Sequence, residues 1–148
     1  NLRQFEQTWA LADYWGVVVL PPEKLSATAD ELEHASAAAA LEQIGKTPEA
    51  EQIYRNILKR WPGSLGALIG LGNTRYAARD YRGSIHFLSE ATQKFPQSSV
   101  AWHNLATAQG SAKMRTQARK SALHAVGIAD PRTSEAYRVS LREWLVEG

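Results

Sequence analysis

Cysteine is absent from the 148 residues. That excludes disulfides, thiolate metal sites and a cysteine nucleophile within them, and fits any compartment. Long apolar runs are missing too: none approaches the ~20 residues that a membrane-spanning helix needs. No glycine-rich loop has the spacing that cradles phosphate, and no serine sits in a nucleophile-elbow context. The four histidines, His34, His86, His103 and His124, share no short paired spacing of the metal-binding kind. These residues therefore assign no catalytic group, no metal and no cofactor. The chain opens at Asn1 with neither Met nor a basic-then-apolar leader. It is expected to be cut or processed from something longer.

What is present has an ordinary globular balance, 44% apolar and 22% charged. The net charge of +2 hides a split: residues 1–60 hold 6 basic and 9 acidic side chains, residues 61–148 hold 11 and 6. A basic half can favour acidic partners. No nucleic-acid recognition motif accompanies it, so no nucleic-acid partner is expected. The cluster Lys113, Arg115, Arg119 and Lys120 reads first as a solvated face and second as a docking patch.

Near the front, YWGVVVLPP covers residues 14–22. Val17, Val18 and Val19 are β-branched and favour an extended strand, which Pro21 and Pro22 lead out of. Residues 1–12 before it form an amphipathic pattern with Leu2, Phe5 and Trp9 on one face. A single strand needs a partner. Its unpaired edge could join a second copy of the chain, giving a strand-swapped homodimer.

The remainder is helical and repetitive. Trp61-Pro62 and Phe95-Pro96 are thirty-four residues apart, and Asp130-Pro131 follows at thirty-five. Each pair closes a unit of helix, polar turn and helix, over about 31–64, 65–98 and 99–132. Small residues at Ala38, Gly72 and Ala106 would let paired helices approach, and Tyr54, Leu88 and Trp102 would fill the space between pairs. Thr28-Ala29-Asp30-Glu31 reads as a capping box, and Thr47-Pro48 as a hydroxyl cap before a helical proline. Prolines 62, 96 and 131 are expected where each second helix stops. A closing helix is expected over 133–147, capped by Ser134, with Tyr137, Leu141, Trp144 and Leu145 as its apolar stripe. The expected organisation is an N-terminal helix-strand segment over 1–22 and an all-α domain over 23–148.

This pattern resembles the tetratricopeptide repeat (TPR) family over residues 31–132. Ser84 departs from the usual alanine, and Arg75 and Gln109 from a usual aromatic. The resemblance implies a helical-hairpin solenoid of about three repeats plus the closing helix. It also implies a groove, lined by the first helix of each pair, that binds a peptide or protein partner. Asn73, Tyr76, His103 and Asn104 are the candidate groove residues. Asn73 and Asn104 match the two asparagines of the family's dicarboxylate clamp, but Ile69 stands where its first lysine would be. Arg138 would supply a cation if the closing helix keeps the repeat register.

The segment from Phe5 to Glu31, with Thr8-Trp9 and the run at 14–22, is similar to the end of the papain-like peptidase domain in bacterial relatives of the bacteriocin-processing (double-glycine) peptidases. Some of these carry TPRs after that domain. The resemblance implies a bacterial parent protein, in the cell envelope or periplasm, whose catalytic residues precede Asn1. Rival expectations are a free-standing adaptor, a strand-swapped assembly module and a regulatory lid on catalysis.

Overall fold

A computed structural model of the chain describes residues 31–146. The N-terminal helix, the strand at Val17–Val19, the proline pair and the first three residues of the capping box lie outside the described residues. Every regular element among those described is an α-helix: α1 Glu31–Gln43, α2 Thr47–Arg60, α3 Leu65–Ala77, α4 Tyr81–Lys94, α5 Ser99–Ser111, α6 Arg115–Ile128, α7 Pro131–Ser140 and α8 Arg142–Leu145. The class is all-α, built of helical hairpins, as the sequence led us to expect. First helices start at 31, 65 and 99, second helices at 47, 81 and 115, so both series keep a step of 34. No described helix is long and apolar enough to cross a membrane.

The turn inside each hairpin is the same device. Gly45, Arg79 and Lys113, again 34 apart, hold positive φ of 80°, 60° and 65°. After each, an amide reaches back five residues: Lys46 to the Leu41 carbonyl at 2.8 Å, Asp80 to Arg75 at 2.9 Å, Met114 to Gln109 at 2.9 Å. The left-handed residue bonds three back in each case. The two bonds close carbonyls that a helix end leaves open.

The turns between hairpins use serine. Ser64 Oγ accepts from the Ala67 amide and Ser98 Oγ from the Ala101 amide, both at 3.2 Å. The third such turn differs. Asp130 caps α7 by accepting from the Thr133 amide at 3.0 Å, and Pro131 sits inside the first turn of the helix. Pro62 and Pro96 follow helix ends, but Pro131 starts a helix, because its fixed φ suits that first turn and its missing amide costs nothing there. The closing element therefore begins two residues before the expected 133, with Asp130 in place of Ser134 as cap. Ser134 instead donates to the Val126 carbonyl at 2.9 Å. The expected cap at Thr47 is also corrected. Thr47 is already helical, and the capping position is Lys46, which makes no side-chain capping bond.

The chain divides into two compact units, residues up to Gly70 and residues from Leu71. In the first, α1 packs on α2. Ala38, Leu41, Ala50, Ile53, Ile57 and Leu68 are fully buried. Tyr54 lies over Gly70, where any Cβ would overlap its ring. In the second, α5 packs on α4 and α6, and α6 carries α7 and α8. Leu88 and Trp102 reach beyond their own hairpins: Leu88 also lines a cavity with His103, Asn104 and Thr107 of α5, and Trp102 packs on the cluster that holds Leu141. Within the hairpins, Leu88 sits against Gly72, and Trp102 meets His124 at a tilt with ring centres 4.2 Å apart. The expected apolar stripe does close this unit. Leu141 is fully buried with Ala106, Ala122 and Ala125, and Tyr137, Trp144 and Leu145 pack around them. It does so through a break at Leu141, between α7 and α8.

Candidate functional site

Asn73 and Tyr76 are three residues apart on α3, and His103 and Thr107 four apart on α5, so each pair shares a helix face. All four, with Ser84 and Leu88 of α4 and Asn104 of α5, line one cavity of about 160 Å³. A chain of polar side chains runs along it. Asn104 Nδ2 donates to Asn73 Oδ1 at 3.0 Å, and Asn104 Oδ1 lies 3.0 Å from His103 Nδ1. His103 Nε2 lies 2.9 Å from Ser140 Oγ on α7. With the Asn104 oxygen facing it, Nδ1 carries the ring proton, and Nε2 accepts from the serine hydroxyl. The imidazole is stacked on Tyr137 at 4.3 Å. Thr107 donates to the His103 carbonyl at 3.1 Å, and the Tyr76 hydroxyl pairs with Ser111 at 3.0 Å.

Of the five residues expected to form a groove, the structure brings together Asn73, Tyr76, His103 and Asn104. Arg138 does not line the cavity. It is exposed on α7, which presents Tyr137 and Ser140 to His103. The physical reason is helix geometry: Tyr137 and Ser140 are three apart on the face of α7 that meets His103, and Arg138, next to Tyr137, lies off that face. No lysine or arginine, and no carboxylate, lines the cavity.

Ser84 and Ser140 were not among the expected site residues. Ser84 did carry a signal, since its register mates Ala50 and Ala118 are alanines and all three are fully buried. Its hydroxyl is buried without a hydrogen-bond partner.

The basic residues Arg115, Arg119 and Lys120 line a second cavity of about 560 Å³ with Thr116, Leu123, Trp144 and Val146. The histidines serve as ring partners: besides His103 and His124, His34 meets Trp61 edge-on at 5.8 Å and His86 meets Phe87 at 5.2 Å. Among the described residues no three His, Asp or Glu side chains gather as a metal would require.

Helical hairpins whose helices recur on a 34-residue step define a repeat protein of the TPR fold. The tetratricopeptide repeat family profile matches residues 40–108. Among solved structures, the first TPR of Spaghetti (RPAP3) bound to the HSP90 peptide SRMEEVD is similar at 12% identity, covering 81% of this chain and 96% of that one, with a TM-score of 0.71. The Yersinia enterocolitica type III secretion translocator chaperone SycD is similar at 17% identity, covering 83% and 88%, with a TM-score of 0.71. MamA from Desulfovibrio magneticus RS-1 is similar at 14% identity, covering 97% and 94%, with a TM-score of 0.65. At such identities the likeness establishes the fold. No curated protein matches the chain in sequence.

Proposed function

We propose that the chain is a protein–protein interaction scaffold that binds an extended peptide segment of a partner across α3 and α5. The observation that carries this reading is the bonded run Asn73–Asn104–His103–Ser140, which spans three helices and borders an open cavity. Asparagine carboxamides both donate and accept, which suits a main chain that offers each in turn. A similar fold is seen with a bound peptide in the Spaghetti structure. Without a cation beside Asn73 and Asn104, a carboxylate clamp is the weaker form of the proposal.

The test is selection of random heptapeptides displayed on phage against the chain, followed by calorimetry on the enriched sequences. Asn73→Ala with Asn104→Ala should weaken binding at least tenfold with an unchanged circular dichroism spectrum. Undiminished binding would refute the groove. The peptidase-type parent and the strand-paired homodimer are separate proposals, the first resting on the sequence from Phe5 to Glu31 and the second on the strand at Val17–Val19. The coding sequence upstream of Asn1 tests the first, and light scattering on Val18→Lys the second.

A further inference from the structure

Ser84 breaks a pattern that the other hairpins keep. At the same register position Ala50 and Ala118 are fully buried alanines that ask nothing of their surroundings. Ser84 is equally buried, and its hydroxyl has no partner. A buried hydroxyl left unpaired is costly, and in native folds such a group calls for an explanation. Ser84 is one of the residues lining the cavity bordered by Asn73 and Asn104. The polar chain leaves a second donor on the lining of the same cavity. Asn104 occupies the Asn73 oxygen, so the Asn73 amide nitrogen keeps both its protons for something else.

Two donors with no cation nearby define the ligand. They call for an acceptor oxygen, and the lining holds no lysine or arginine to offset a buried carboxylate. It holds no aspartate or glutamate to attract an ammonium group either. The volume of about 160 Å³ limits the guest to one short side chain, since an apolar cavity of about 150 Å³ takes a single benzene. Leu88 supplies an apolar wall for the stem of such a side chain. Resting on the groove reading, we infer that this cavity is a specificity pocket for a neutral carboxamide side chain, asparagine or glutamine, of the bound peptide. Its carbonyl accepts from the Ser84 hydroxyl and the Asn73 amide.

Propionamide, the bare side-chain head, is the probe, with propionate as its charged counterpart. Titrated into the ¹⁵N-labelled chain, propionamide should shift the amide resonances of Asn73, Ser84, Asn104 and Thr107, with propionate at least fivefold weaker. Ser84→Ala should reduce the propionamide shifts at least fivefold. It should also raise the melting temperature of the free chain, because alanine already fills the matching positions at 50 and 118. Shifts that persist in Ser84→Ala, that propionate equals, or that miss these residues would overturn the inference. So would a lowered melting temperature, which would mean that the hydroxyl is satisfied within the fold. Should selected peptides depend on Asn73 and Asn104 yet bind Ser84→Ala equally well, this pocket falls and the groove stands.

Discussion

Arg79 and Lys113 occupy a left-handed conformation that their Cβ atoms oppose, at the turn where the first hairpin has Gly45. Glycine there should relieve that strain, less its own larger loss of freedom on folding. Arg79→Gly and Lys113→Gly should therefore each stabilise the chain by about 0.5–1 kcal/mol, seen as a raised urea midpoint with unchanged slope. Glu42 carries a different kind of strain. Burial pushes its carboxyl above the usual carboxylate range, opposed in part by a hydrogen bond from Tyr54. The same burial, together with Glu42, pushes the Tyr54 phenol up. Folding thus favours the protonated acid. Its contribution to stability is fully present below the ordinary glutamate value near 4.5 and is lost as pH rises through the higher folded value. Glu42→Gln should raise the melting temperature at pH 7 and leave it nearly unchanged at pH 4. Asp130 has the opposite sign. Hydrogen bonds from Thr133, side chain first and then backbone, hold its carboxyl below the usual range, so its capping contribution fades as pH falls.

At the scale of elements, the closing pair α7 and α8 hangs on a single buried side chain. Leu141 joins the two helices and is fully buried against Ala106, Ala122 and Ala125. Leu141→Ala should cost about 2–5 kcal/mol in chemical unfolding, since two short helices cannot easily collapse onto the space left. Gly110 offers a separate test, because a Cβ there would run into the Trp144 indole. Gly110→Ala should lift α8 from α5 and shift Trp144 fluorescence to the red, with α1 to α4 unaffected. The helix period was legible in the sequence because prolines and small residues return at fixed steps, and the helix starts keep that step. The Arg79 and Lys113 turns were not legible. Neither residue prefers positive φ, and the carbonyls of the preceding helix impose it. The break at Leu141 was hidden for a related reason: a buried leucine fits a continuous stripe as well as a corner, and the early cap at Asp130 decides between them.

Across the whole chain, a fixed period repeats the architecture while single departures from it carry the chemistry. Ser84 among alanines and Asn73 and Asn104 on successive first helices are the departures that meet at one cavity. Asparagines could be placed on a face from the sequence, but the hydrogen-bonded run through His103 to Ser140 could not. It depends on which face of α7 meets His103, the one that carries Tyr137 and Ser140. The basic cavity of Arg115, Arg119 and Lys120 is the competing surface on the same unit. Backbone amide shift mapping with a phage-selected heptapeptide decides between the two. Perturbations are expected at Asn73, Tyr76, His103 and Asn104. Perturbations confined to residues 115–123 and 144–146, with the asparagines silent, would contradict it.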